Sequence, residues 1–399
     1  MLKNFVLSTK AVLNNHKKYH SNLLFISSYF LFFVVMQLTT WLPLRYWAIW
    51  GGGNFIDSWQ VLRFADCYRL IQTEVYSDTG PCPGYLYGRP LLNFINFIGA
   101  SQSNSQVIGY LLMLTLVLVF AWVRADIQNN IPYYLLFPIM VSPPILLLAE
   151  RANVDILIAI MIIVSCKLFY HNSRYLAYIL TGITVVFKFY TAPVILLFLL
   201  LDKNILRRII GFLVLIICTN SALADIRMSR TPYPDGALAQ FGFSVWSKYF
   251  DLTDRKWFNF ATAIFIDIAV LVIAGIAIFV FWKLTGLKFT KSKFEELSSL
   301  HISLLAAALI HVSCFMLGTS YDYRLIYLII ATLLVSGMRL LPVNFLNLMN
   351  VNLVCILFLS YPSGGLQPIG DFLLEIQTLV ICYISLQIIS STVPRVHKN

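Results

Sequence analysis

The sequence predicts an all-α fold, a polytopic bundle of transmembrane helices, on three observations. Hydrophobic residues fill 59% of the 399 positions and charged residues only 12%, too little polar surface to close around a soluble core. Apolar runs approaching the roughly 17–25 residues that cross a hydrocarbon layer recur along almost the whole chain. The bases behind the net charge of +11 are scattered over short loops. They form no stripe with aromatics, so they fit a positive-inside pattern and not a nucleic-acid surface.

Taken in order, the apolar segments fall near residues 22–43, 105–123, 131–148, 154–170, 175–187, 191–201, 208–224, 259–282, 300–317, 325–341, 344–360 and 371–391. The first follows a basic stretch, MLKNFVLSTKAVLNNHKKYH, and is too long for a cleaved signal. It reads as a first transmembrane helix with its N-terminus in the cytoplasm. The segments flanking Lys188 are short and read as two half-length helices meeting at a turn in the outer leaflet; one continuous helix with a buried lysine is the alternative. The broken helix keeps Arg207, Arg208 and Lys283 to Lys293 on the inner side, which the positive-inside rule favours. Residues 1–399 are then a single integral membrane domain, with large extracytoplasmic loops at 44–104 and 225–258 and a shorter one, YPSGGLQPIGD.

Within the first loop Val61, Phe64, Ala65, Tyr68, Ile71 and Val75 recur at helical spacing, which predicts an amphipathic helix along the membrane surface. Cys67 and Cys82 share that loop and form a disulfide if the loop is extracytoplasmic. The other cysteines lie in apolar runs as small core residues, and no cysteine pair has metal-ligand spacing. GGG at 51–53 lacks the GK[ST] of a phosphate loop and reads as a flexible connection.

Ionisable residues gather at the outer ends of the apolar segments. They are Asp57, then Glu150, Arg151 and Asp155 in LLLAERANVDILIA, Lys188 in VVFKFYTAPVILL, and Asp322 with Arg324 in SYDYRLIYL. A charge at the centre of a membrane helix costs about 2.5–3.5 kcal/mol, so such residues line a cavity and pair with something. Lys188, Arg324, Arg151 and Arg89 suit an anion at the membrane surface, a lipid-linked phosphate in particular. Asp57 suits a general base taking a proton from an acceptor hydroxyl while cations stabilise a phosphate leaving group. Neither role calls for a metal or cofactor.

Structural readings stand beside these. Asp322 with Arg324, and Glu150 with Arg151, also read as interfacial pairs, and Lys188 as a snorkelling lysine. Asp66 competes with Asp57 for the base; nine residues apart, the two point to opposite sides of one continuous helix. Asp267 and Glu375 read equally as helix-packing partners or as cavity residues, and His311 as a hydrogen-bonded packing residue.

The order of these features resembles the GT-C superfamily of membrane glycosyltransferases, most closely glycosyltransferase family 87, whose members include polyprenol-phosphate-mannose-dependent mannosyltransferases. The matching pieces are DSWQVLRFADCYRLIQTEVY followed by YLYGRPLL, then ERANVDILIAIMI, YLAYILTGITVVFKFYTAPVILLFLL and SYDYRLIYLI. The resemblance implies a GT-C-like bundle of about ten to twelve helices with an extracytoplasmic catalytic cavity. It also implies a sugar donor on polyprenyl phosphate, an inverted product and no essential metal. The family's base maps onto Asp57 and its K-x-x-P-like turn onto Lys188, although Pro193 here falls five residues on.

The expectation is therefore an enzyme, a hexosyltransferase of the cell envelope moving a sugar from a polyprenyl-phosphate donor to a glycan or glycolipid acceptor. Its setting is a bacterial inner membrane, with membrane lipid as the other partner and no nucleic acid. Asp57 is the base; Lys188 and Arg324 hold the phosphate, assisted by Arg151 and Arg89. Asp322 orients Arg324, Tyr321 and Tyr323 contact sugar or prenyl chain, and Glu150, Asn153, Asp155 and Asp66 support the site. A lipid-linked-glycan flippase, an O-antigen polymerase or ligase using a diphosphate-linked donor, and a non-catalytic scaffold are the rival classes.

Overall fold

The structure, a computed structural model, describes residues 22–35, 55–71, 89–126, 133–228, 240–241, 268–270, 272–276, 279, 297–316, 320–338, 342–360 and 366–392. Outside them lie GGG, Cys82, Asp267, Val75 and most of the 225–258 loop; of Tyr321, Asp322 and Tyr323 only the backbone is described.

The described chain is almost all helical, the conformation that satisfies every backbone N–H and C=O within its own segment in an apolar medium. In order the helices are α1 (Asn22–Val35), α2 (Ile56–Ile71), α3 (Arg89–Phe97), α4 (Ser105–Asp126), α5 (Tyr133–Met140), α6 (Pro143–Arg151) and α7 (Asp155–Tyr170). They continue as α8 (Arg174–Phe187), α9 (Ala192–Leu201), α10 (Ile205–Met228), α11 (Ser299–Met316), α12 (Ile326–Gly337), α13 (Val343–Leu359) and α14 (Gln367–Thr392). Two-residue strands, β1 (Gln240–Phe241) and β2 (Ser320–Tyr321), pair antiparallel with Gln240 opposite Tyr321.

Among the described residues four helical stretches are long and apolar enough to cross a membrane: Gln102–Ala125, Ile205–Leu223, Ser299–Met316 and Gln367–Ser390. A fifth candidate is α6 with α7, bent by 102° between them. The other apolar helices have 10–17 residues. The expected single run at 131–148 is instead two helices, because Pro143 and Pro144 open α6. Prolines lack the N–H a continuing helix needs and fit only a first turn.

The expected break at Lys188 is present. Residue 188 is extended, with φ −150° and ψ 106°, and a 3-10 turn, Phe189–Thr191, leads into α9. Arg174, opening α8, pairs with Asp202 beyond the end of α9 at 2.6 Å, and the Tyr178 ring meets Phe198 at 6.0 Å. The two helices therefore run antiparallel, and Lys188 is the tip of a hairpin. At 14 and 10 residues, they reach about 21 and 15 Å, short of the roughly 30 Å hydrocarbon core.

Around this hairpin the core is one contiguous apolar cluster. Its centre is α12, buried at every position from Ile326 to Gly337, as a helix apolar all round should be. Helix α2 packs Val61, Leu62 and Ala65 into the same core, so the amphipathic stretch of the first loop is docked on protein and not laid along a surface.

The bundle has two chemically different ends. At one, Lys167 stacks on Trp122 (4.5 Å), buried Arg124 on Phe25 (5.3 Å), and Asp202 accepts a hydrogen bond from Arg174 (2.6 Å) and forms an ion pair with Arg207 (3.3 Å). At the other lie Phe55, Asp57, Tyr110, the α6–α7 bend and Lys188. Helix α10 leans on α8 through Gly211, where a Cβ would strike the Tyr178 ring. Gly211→Val should therefore lower stability by about 1–3 kcal/mol through overpacking, and Gly211→Ala by less, read as a fall in melting temperature in detergent; equal melting temperatures for all three proteins would contradict this seam.

Candidate functional site

The site is built where α2, the α6–α7 bend, the hairpin tip and the start of α12 meet. Its frame is a joint between two backbone turns. Phe55 (φ +60°) and Ala152 (φ +47°, ψ 54°) both sit in the left-handed region that non-glycine residues avoid. Each such residue costs about 1–2 kcal/mol and persists only where its surroundings hold it. Here they hold each other's segments: the Phe55 N–H donates to the Glu150 carbonyl at 2.7 Å, and the Ser58 hydroxyl to the Ala152 carbonyl at 2.7 Å. The Phe55 ring is seated edge-on against Tyr110, over Gly109, where no Cβ would fit.

The joint brings Asp57, in the first turn of α2, against both sides of the bend. Arg151 donates through Nε (2.9 Å) and Nη2 (2.5 Å) to one carboxylate oxygen, and Asn153 Nδ2 donates to the other at 2.5 Å. Asn153 also accepts the backbone N–H of Asp155 through its own side-chain oxygen at 2.9 Å, so it bridges the two acids and fixes the start of α7.

Asp155 is wholly buried and collects three donors from distant segments. The Tyr190 hydroxyl donates to Oδ1 at 2.6 Å, Lys188 Nζ stands 3.4 Å from the same oxygen, and Arg324 Nε is 3.4 Å from Oδ2. The Arg324 guanidinium lies over the Tyr190 ring at 5.1 Å, and Tyr190 meets Tyr327 edge-on at 6.1 Å. These ion pairs set two carboxylates against three cations. A third carboxylate, Glu150, is buried one residue from Arg151.

Of the residues singled out from sequence, Asp57, Arg151, Asn153, Asp155, Lys188 and Arg324 come together, with Glu150 at the joint. Asp66 does not join them. It pairs with Arg69 at 2.7 Å and accepts the Gln102 N–H at 2.7 Å, more than two turns along α2. Arg89 opens α3 as an exposed residue; that helix reaches the hairpin through Phe94 and Phe187, whose rings are 6.1 Å apart. Arg324 is seen against Asp155; the side chain of Asp322, expected to orient it, lies outside the described residues along with those of Tyr321 and Tyr323. The sequence reading missed Ser58, Tyr190 and Tyr327; Tyr190, two residues past Lys188 in KFYTAP, was the visible signal.

Cys67, on α2, is disulfide-bonded, and the other five described cysteines are free. His311 is buried and shares a 2.8 Å hydrogen bond with Thr378, the packing role expected of it. Glu375 is buried on α14. Among the described residues no group of three or more His, Cys, Asp or Glu side chains is arranged to hold a metal. No family model, no curated protein and no solved structure matches this chain.

Two stability predictions follow from this geometry. Ala152→Gly removes the left-handed strain and should leave stability unchanged or raise it by up to about 1 kcal/mol, whereas Ala152→Val should lower it by about 2 kcal/mol; thermal unfolding of the two variants in detergent reads the difference, and an unharmed valine variant would refute the strained bend. Asp155→Ala strands two cations at once and should cost about 3–5 kcal/mol. The same unfolding assay checks it, a loss under 1 kcal/mol contradicting the network.

Proposed function

We propose that this chain is an integral membrane glycosyltransferase. It moves one sugar from a polyprenyl-phosphate donor to a glycan or glycolipid acceptor at the extracytoplasmic face, with the GT-C-like architecture that its sequence resembles. The observation that carries the reading is the convergence of Asp57, Arg151, Asp155, Lys188 and Arg324 at one end of a bundle of apolar helices. A carboxylate beside several cations is what inverting transfer from a phosphate leaving group needs.

The charge balance speaks for the kind of phosphate. Among the described residues the ion pairs set two acids against three bases, one excess positive charge that a monoanionic phosphodiester would match. Arg324, a five-donor guanidinium, and Lys188, a three-donor ammonium, are the group types that suit donor phosphate oxygens beside Asp155. Asp57 takes the acceptor proton, and Arg151 and Asn153 aim its carboxylate.

Two features favour an extracytoplasmic site. Cys67 carries a disulfide at the site end, and disulfides persist in oxidising compartments. The opposite end holds Arg124, Lys167, Arg174, Lys203, Arg207 and Arg208, the excess of bases expected on a cytoplasmic side. A site at one end of the bundle also argues against a flippase, since transporter sites lie near the bilayer midplane.

The test is transfer of radiolabelled sugar from a panel of polyprenyl-phosphate sugars into membrane lipids and glycans. Wild type should transfer from one of them, and Asp57→Asn, checked to purify folded, should lose at least about a hundredfold of rate, the scale of general-base catalysis. Full transfer by Asp57→Asn would remove that residue as base; no transfer from any donor in the panel would overturn the enzyme reading.

A further inference from the structure

At the end of the bundle away from the charge cluster, α10 presents a surface largely uncovered among the described residues. Only 11% of its apolar window, Ile205–Leu223, is buried. Leu206, Ile209, Leu213 and Ile217 recur at helical spacing along the outward side and are 50–66% exposed. At the head of this stripe stand Lys203 and Arg208, both exposed, with Arg207 one residue away. The acid among them, Asp202, is fully buried and already takes Arg174 and Arg207. Among the described residues, four bases around one spent carboxylate leave a local excess of positive charge at the level where an apolar span begins.

We propose that this surface binds an anionic phospholipid, its phosphate on Lys203 and Arg208 and its acyl chains along the α10 stripe. Charge complementarity selects this occupant, because a basic cluster at the end of a membrane span attracts anionic headgroups. A second copy of the chain is disfavoured on two grounds. Joining the same face of two copies would bring both basic clusters together. Close helix pairing in lipid also uses small residues, and Gly211 is turned inward onto Tyr178, leaving large aliphatic side chains outside. The site also sits at the foot of the hairpin, where Asp202 ties α8 to α10, so the bound lipid braces the base of the element whose tip is Lys188.

Native mass spectrometry of the full chain, offered phosphatidylglycerol and phosphatidylcholine of matched acyl chains, tests this. Wild type should retain phosphatidylglycerol in preference. In the double variant Lys203→Gln/Arg208→Gln the preference should fall about twenty-five-fold, from roughly fivefold per charge. Both side chains are exposed and should leave the melting temperature in place, and Arg63→Gln, a control cation on α2, should leave the preference intact. Equal retention of the two lipids by wild type, an unchanged preference in the double variant, displacement of phosphatidylglycerol by equimolar inorganic phosphate, or a dimer that phosphatidylglycerol does not dissociate would each overturn the proposal.

Discussion

The carboxylate of Asp155 is the point on which the arrangement depends. A wholly buried acid at the start of an apolar helix is tolerable only when its charge is matched, and a buried cation at a hairpin tip carries the same requirement. Neither Lys188 nor Arg324 lies near Asp155 in sequence: Arg324 is 169 residues away, and Tyr190, the third donor, is 35 away. The pairing therefore fixes tertiary structure. It sets the depth of the hairpin tip and the position of the 3-10 turn before α12, and through Asn153 it transmits that position to Asp57 on α2. In a lipid medium, where apolar contact alone discriminates poorly between helix registers, polar groups that must be matched are the stronger source of specificity.

Backbone geometry supplies what the charges need. A continuous helix through 143–170, turning 100° per residue, would point Glu150, Arg151, Asn153 and Asp155 to different sides of its circumference. The 102° bend at Ala152 instead turns Arg151 and Asn153 to grip the two oxygens of one carboxylate. The strain of two left-handed residues is offset by the contacts it enables, since Phe55 and Ala152 each give a backbone group to the other's segment. Gly109 belongs to the same economy, leaving room for the Phe55 ring that locks the turn ahead of Asp57.

Helix positions were legible in the sequence because apolar runs in a membrane-like composition have few other solutions, and the observed α4, α7, α8, α9, α11 and α13 lie within a few residues of the runs that announce them. The reversal at Lys188 was legible from the distribution of bases on either side of it. The bend at Ala152 was not: left-handed turns are usually announced by glycine, and an alanine in LLLAERANVD gives no such signal. The same limit explains Arg324. Its contact with Asp155 arises only once α7 and α12 are packed, and no local pattern encodes it. Asp57 and Asp66 could not be separated by type; their neighbours separate them, one meeting two distant donors at a bend and the other a local arginine and a backbone N–H.

The hairpin joins the two ends of the bundle into one device. Its foot is an acid, Asp202, holding two arginines, and its tip is a lysine held by an acid, Asp155. Both acids are fully buried and both partner sets come from more than one segment, so neither end can shift along the hairpin axis without breaking a matched charge. With α8 and α9 each short of a full span, these two anchors fix the height of the hairpin against the rest of the bundle. A helix held by its own length can tilt when bilayer thickness changes, whereas a hairpin pinned by charge at tip and foot must keep its height relative to α7 and α12. For a charge cluster assembled from four separate segments, that is the tolerance that matters, because a displacement of 1 Å at Lys188 is felt directly in the pairing of Asp155.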